Sequence, residues 1–285
     1  MITRFAPSPT GPLHLGHAFS VLTAHDMARA QGGKFHLRLD DIDQSRSRAH
    51  WAAQIEDDLA WLGITWDGPI WQQSARTPQY TKALKTLWDM GLLYTCTCTR
   101  ADIKAAANAP QDGAPLHGPD GLIYPGTCRT GTIGAFPTSA ALRFNIAKAL
   151  QAFDKKQIDF TNNGILHAKL AHEMIDTIGD VVLARSNMAA SYHLSIVVDD
   201  ADQNISDIIR GEDLLEATFI HALLQNLLGY RAPNYHHHRL IRDETGKRLA
   251  KRDDARALSK YRSEGKSPND IRDMLGLDRP ATPLG

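Results

Sequence analysis

The chain opens with a short stretch of mixed apolar and polar positions, "ITRFA" (residues 2–6), that reads as a strand and runs into a Pro/Gly-rich loop. A helix is predicted from Leu15 to about Gln31. Leu15, Ala18, Val21, Leu22 and Met27 recur along one side of it, and Gly32-Gly33 stop it. "KFHLRLDDID" follows as a second strand that ends in acidic residues. Together these make a β-α-β unit of about forty residues, the opening of a parallel α/β sheet. Ligands of such sheets bind beyond the carboxyl ends of the strands, so the loop after the first strand is where a nucleotide would sit.

Residues 49–63 and 78–92 carry amphipathic helical patterns. From Tyr94 to about Pro137 the pattern gives way to a loop-rich insertion that holds the cysteines and "NAPQDGAPLHGPDG". Regular alternation returns with "ALRFNI". "YHLSIVVDDADQNISDIIRGEDLL" reads as a strand, an acidic turn, a second strand and the start of a helix. "TFIHALLQNLLGY" is a strongly apolar helix, and a strand near "HHHRLI" leads into "RDETGKRLAKRDDARALSKYR". Two short helices are expected in residues 256–285, and no internal repeat is visible.

Charge and cysteine count narrow the function classes. Net charge is zero, which excludes a uniformly basic nucleic-acid coat but not a local patch. Three cysteines cannot build a disulfide framework. No apolar run approaches the roughly 18 residues of a membrane span, and "MITRFAPSPTG" lacks a signal-peptide core, so a cytoplasmic protein without a membrane partner is expected.

Two segments carry chemistry. In "RFAPSPTGPLHLGH", His14-Leu15-Gly16-His17 stands at the predicted helix start, where backbone N–H groups attract phosphate and Gly16 offers no side chain to obstruct a nucleotide. Two imidazoles there can donate to charge developing on a phosphoryl group. Taken alone, the tetrapeptide fits a metal-binding or surface histidine pair equally well. "GKRLAKR" (Gly246 to Arg252) is a cationic loop suited to clamping a triphosphate, although by itself it reads as a solvated basic turn.

Taken together these segments resemble the class I aminoacyl-tRNA synthetases, and within them the glutamyl group. His14-Leu15-Gly16-His17 is similar to that family's HIGH tetrapeptide, and Arg248-Leu249-Ala250-Lys251-Arg252 to its KMSKS segment. "LRLDDID" and "VVDDADQNISDIIRGEDLL" resemble the segments around its amino-acid pocket, so the likeness runs over most of residues 1–275. The resemblance implies ATP binding by His14, Gly16, His17 and Lys251, with His14, His17 and Lys251 catalytic. It implies glutamate binding by Arg4, Phe5, Ala6, Pro7, Ser8, Asp40, Tyr192 and Arg210. An arginine pair suits a side-chain carboxylate, and Asp40 suits the ammonium. A core tyrosine is the alternative for Tyr192.

Three departures from the family pattern matter. Asp40 stands where the group carries glutamate, one methylene longer, and Asp41 is its neighbour. Arg248 and Ala250 replace a lysine and a serine, which implies slower activation rather than none. Longer members continue into a helical anticodon-binding region, whereas this chain stops at Gly285. That length resembles the truncated branch, the glutamyl-Q tRNA(Asp) synthetases. The branch implies tRNA-independent activation of L-glutamate by ATP with Mg²⁺, and transfer to queuosine in the anticodon of tRNA(Asp).

Cys96-Thr97-Cys98 followed by Tyr124-Pro125-Gly126-Thr127-Cys128 is similar to the C-x-C…Y-x3-C zinc site of this branch. The residues themselves leave zinc or three reduced cysteines open, with His117 as an alternative fourth ligand to Tyr124. The implied fold is α/β: a Rossmann-type parallel-sheet catalytic domain (1–93 and 138–255), a zinc-containing insertion (94–137) and a short helical tail (256–285), with no anticodon-binding domain and a monomeric state. The three histidines of "NYHHHRL" (His236 to His238) are not expected to bind metal, because consecutive strand side chains point to opposite faces.

Overall fold

The computed structural model describes residues 1–107, 117–130, 134–137, 139–154, 156–241 and 256–279. The chain divides into two compact units. One comprises Met1–Ala75, Ile205–Asp213 and Tyr235–Gly285, the other Arg76–Asn204 and Leu214–Asn234.

The first unit contains β1 (Ile2–Phe5), α1 (Leu15–Ala30), β2 (Lys34–Leu39), α2 (Ala49–Trp61) and β3 (Trp71–Gln72). β1 and β2 pair in parallel with Ile2 opposite Lys34 and Phe5 opposite Leu37, and β2 pairs in parallel with β3. This is the expected β-α-β opening. Phe5, Leu22, Phe35, Leu37 and Leu39 are buried because strand and helix turn their apolar positions towards each other.

The second unit contains α3 (Thr77–Asp89), β4 (Leu93–Thr95), α4 (Arg100–Ala107), β5 (His117–Gly118), β6 (Gly121–Leu122), β7 (Leu142–Phe144) and α5 (Ile146–Phe153). It continues through β8 (Gln157–Asn162), β9 (Ile165–Leu170), α6 (Ala171–Thr177), β10 (Val181–Ala184), α7 (Tyr192–Asp202) and α8 (Thr218–Leu227). β10, β7 and β4 form an antiparallel sheet in that order. β8 and β9 form a hairpin that turns on Asn163 and Gly164, both at positive φ (50° and 77°).

The first unit is completed by β11 (Asp207–Gly211), most of β12 (Asn234–His238), α9 (Leu258–Ser263) and α10 (Pro268–Leu275). Ser206 ties the approach to β11 onto β1, donating its N–H to the Ile2 carbonyl (3.0 Å) and accepting from the Ile2 N–H through Oγ (2.8 Å). The last two helices are sealed into this unit: Leu258, Ile271 and Leu275 are buried in the core of β1, α1 and β2. Arg272 on α10 pairs with Asp26 on α1 at 2.7 Å.

One expected element is overturned. "YHLSIVV" is the start of α7 and not a strand. All eight residues from His193 to Asp200 are buried. The contiguous β-branched Ile196-Val197-Val198 reads as a strand. Within the helix the Asp199 carboxylate accepts from Tyr80 Oη (2.8 Å) and Arg76 Nε (2.6 Å).

Candidate active site and metal centre

The first turn of α1 is built by its own histidines. His14 is the N-cap, and its Nδ1 accepts from the Gly16 N–H at 3.1 Å. His17 at N3 reaches back, its Nδ1 accepting from the His14 N–H at 3.2 Å. This is a capping box made of imidazoles, with ring centroids 3.8 Å apart. A Cβ on Gly16 would come within 3.0–3.1 Å of the His14 ring, so glycine here protects the cap itself as well as space for a ligand. No acidic residue occupies the first turn, which leaves the positive end of the helix dipole uncompensated.

The residues expected around glutamate in the first unit lie at the carboxyl ends of β1 and β2 and on β11. Arg4 and Phe5 are buried at the end of β1; Ala6 is half-buried, Pro7 buried and Ser8 exposed in the loop that follows. The Asp40 N–H donates to the Pro7 carbonyl at 3.0 Å, which joins the carboxyl ends of β1 and β2. The Asp40 carboxylate is held by Arg38 Nε at 2.8 Å, and Arg38 is wholly buried. Asp41 turns away: its carboxylate accepts from the Ser74 N–H (2.8 Å) and Oγ (2.7 Å), so it is engaged in holding the segment after β3. Arg210, buried on β11, donates through Nε to His237 Nε2 (3.2 Å) and lies 4.9 Å over the Tyr235 ring.

Tyr192 is the first residue of α7 in the second unit. It is 40% exposed, so it is not a core tyrosine. Its ring stands edge-on to His193 and His221, which share a 3.0 Å hydrogen bond.

The cationic segment Arg248, Leu249, Ala250, Lys251 and Arg252 lies outside the described residues. The chain on either side of it is anchored to α1 or to the residues that lead into it. His238 Nε2 meets Ser20 Oγ at 2.7 Å, and beyond the segment Ala257 forms a bridge with His14 while the Leu258 N–H donates to the Leu13 carbonyl at 2.8 Å. The three histidines of β12 go to three partners: His236 to Asp207, His237 to Arg210 and His238 to Ser20. They do not converge, as strand alternation requires.

In the second unit the three cysteine sulfurs lie within 4.8 Å of one another. Tyr124 Oη is 3.3 Å from Cys98 Sγ and 3.5 Å from Cys96 Sγ, and it accepts from the Cys128 N–H at 2.9 Å. Tetrahedral zinc with Zn–S of about 2.3 Å separates its ligands by about 3.8 Å, so the four atoms fit such an ion. His117 is exposed on β5 and is not part of the sulfur cluster. The hydrogen bond from Tyr124, then one from the Thr97 backbone, lowers the Cys128 thiol to about 6, so this sulfur is readily a thiolate. Burial, then the neighbouring sulfurs, pushes the Tyr124 phenol up.

Arg38 and the Ala257–Leu258 return escaped the sequence reading. The first shows only as an arginine inside an apolar strand, and the second follows a charged stretch with no periodicity of its own.

Comparison with known proteins supplies the family. Residues 1–278 match the class I tRNA synthetase (E and Q) catalytic domain. A curated glutamyl-Q tRNA(Asp) synthetase from Rhodobacter capsulatus is 58% identical over 97% of this chain and 100% of its own. One from Rhodopirellula baltica is 38% identical over 95% of this chain and 82% of its own. The chain belongs to the glutamyl-Q tRNA(Asp) synthetases.

Membership of the glutamyl-Q tRNA(Asp) synthetases makes the protein a ligase of the glutamate–tRNA type. A crystal structure of a glutamate tRNA ligase from Elizabethkingia meningosepticum, in complex with its amino acid, superposes with a TM-score of 0.71 at 27% identity over 89% of this chain. The chain spans 52% of that longer protein. The class I catalytic fold therefore stands on both sequence and structure. Among the described residues no helix is long and apolar enough to cross a membrane.

Proposed function

We propose that the protein activates L-glutamate with ATP, without needing tRNA, and transfers the glutamyl group to queuosine in the anticodon of tRNA(Asp). The observation that carries this reading is the α1 turn. Its capped imidazoles and uncompensated helix end lie beside the Ala257 return, just after the segment that contains Lys251.

In the first step a glutamate α-carboxylate oxygen attacks the α-phosphorus of ATP, the bond to pyrophosphate breaks, and glutamyl-adenylate forms. His14 and His17 donate to the phosphoryl oxygens, with Gly16 leaving room for the nucleotide, and Lys251 with Arg248 and Arg252 offsets the charge of departing pyrophosphate. Arg4 and Arg210 receive the side-chain carboxylate, and Asp40, oriented by Arg38, receives the ammonium. Phe5, Ala6, Pro7 and Ser8 wall this pocket; Tyr192 is assigned to glutamate on the family resemblance alone. In the second step a hydroxyl of the queuosine cyclopentene ring attacks the activated carbonyl and AMP leaves. Positioning and charge suffice, and no enzyme nucleophile is required.

Magnesium accompanies ATP with no protein ligand assigned. Zinc would be held by Cys96, Cys98, Tyr124 and Cys128 as a structural cross-link. The enzyme is proposed to work as a monomer in the cytoplasm.

The test uses one tRNA(Asp) with and without queuosine, incubated with ATP, Mg²⁺ and labelled glutamate. Label on the queuosine form alone is the expected result. Label on both forms would move the acceptor to the 3′ end. Label on neither would replace the catalytic proposal with a zinc-containing tRNA-binding role.

A further inference from the structure

Arg143 is buried in the middle of β7. Its Nε donates to Cys96 Sγ at 3.2 Å, and its guanidinium carbon lies 3.8 Å from the centroid of the Tyr124 ring. Nη1 donates to the Asp180 backbone carbonyl at 3.0 Å. One side chain thus touches two of the four candidate metal ligands and is braced against the residue that precedes β10.

The charge of Arg143 needs an explanation. A guanidinium stays protonated in proteins, and a buried charge requires a counter-charge. Among the described residues no carboxylate pairs with Arg143. The nearby Asp180 carboxylate takes its hydrogen bonds from Tyr94 Oη (2.6 Å), Arg129 Nε (2.6 Å) and the Ile146 N–H (3.0 Å), and Arg143 reaches only its backbone oxygen. What Arg143 faces instead is a sulfur and the π-face of a phenol. Three thiolates around a divalent cation leave a negative centre before the phenol oxygen is counted. A fixed cation that donates one N–H to a thiolate lone pair and stacks on the phenol ring offsets that charge.

We propose that Arg143 is the positioning residue of the metal centre. It supplies the permanent positive charge that balances the thiolates, orients Cys96 Sγ and Tyr124, and sets the affinity of the site for zinc. The proposal rests on the zinc reading of Cys96, Cys98, Tyr124 and Cys128, and it extends that site to a residue 15 positions beyond its last ligand in sequence.

The test compares the full chain with its Arg143→Gln, Arg143→Lys and Asp180→Asn variants. Bound zinc is measured by mass spectrometry after dialysis, and its release by transfer to a chromogenic chelator. Circular dichroism and Tm report on the fold. Arg143→Gln is expected to weaken zinc binding about 10- to 100-fold, the range seen when outer partners of metal ligands are removed. Arg143→Lys should fall between it and the parent, because an ammonium keeps the charge but cannot serve sulfur and ring together. Asp180→Asn keeps the backbone carbonyl, so it should lower Tm and leave zinc affinity at the parent value. Parent affinity in both Arg143 variants would overturn the proposal. If Arg143→Gln does not fold, parent affinity in Arg143→Lys alone would do so. Equal zinc loss in Asp180→Asn would also overturn it, because the effect would then be one of packing. A parent chain that holds no stoichiometric zinc would fail earlier, at the metal reading itself.

Discussion

At the scale of single residues, the two histidines of the HIGH-like turn do structural work before any chemistry begins. Each uses Nδ1 to accept a backbone N–H of the α1 start, which fixes the ring and determines where Nε2 points. Gly16 is the hinge of this arrangement. Alanine there favours the helix but brings its Cβ to 3.0–3.1 Å from the His14 ring, so the ring must give way. Gly16→Ala is expected to leave Tm unchanged or slightly raised while glutamate-dependent pyrophosphate exchange falls about 10- to 100-fold, the equivalent of about 1–3 kcal/mol. A variant with full exchange activity would show that the histidine cap plays no part in activation. Asp40 was visible in the sequence, but its buried partner Arg38 was not. The alternation of β2 gave no sign that this arginine faces inwards to meet a carboxylate two residues on.

At the scale of elements, legibility followed periodicity. α1, α2, α3 and α8 each present an apolar recurrence and fall close to their expected bounds. α7 does not: its contiguous β-branched Ile196-Val197-Val198 reads as a strand, whereas α8, buried along as many consecutive residues, keeps apolar pairs four apart at Phe219/Leu223 and Ile220/Leu224. The β8–β9 hairpin depends on local turn chemistry instead. Gly164 sits at φ 77° with open space around its Cα, so the cost of a side chain there is a backbone cost alone. Gly164→Ala should destabilise the protein by about 1 kcal/mol and lower Tm by about 2–4 °C. Gly164→Asn should lose less, because asparagine tolerates the left-handed region. Equal Tm values for all three chains, measured by calorimetry, would mean that the turn conformation is not strained by a Cβ.

At the scale of the whole molecule, the contribution of Asp58 to stability should fall as pH rises through the mildly acidic range. Asp58 on α2 is almost wholly buried, and among the described residues neither carboxylate oxygen has a hydrogen-bond partner. Burial, reinforced by Asp57 and opposed by Arg262, raises the group from 3.8 to about 6. Below pH 3.8 the folded and unfolded chains both hold this proton and no penalty arises. Between 3.8 and about 6 the unfolded chain releases it first, so stability is lost as pH rises. Above that window the full loss persists, on the order of 3 kcal/mol. Asp58→Asn should therefore raise Tm at neutral pH, with the gain shrinking to nothing below about pH 4. A Tm difference that stays constant across this pH range would show that Asp58 ionisation is not the cause.

What the sequence determined by itself was whatever local spacing encodes. The β-α-β opening, the His14–His17 helix start, the cysteine and tyrosine spacing and the likeness to the glutamyl synthetases all lie in short contiguous runs whose side chains share one face or one turn. Tertiary structure decided the contacts made across long sequence separations. Ala257 returns to His14, Arg143 reaches Cys96, Asp41 is claimed by Ser74, and Arg272 seals the last helix onto Asp26. Local propensity carries no information about such pairs, because each partner satisfies its own charge or hydrogen bond only after the chain has closed a long loop and brought the other into reach.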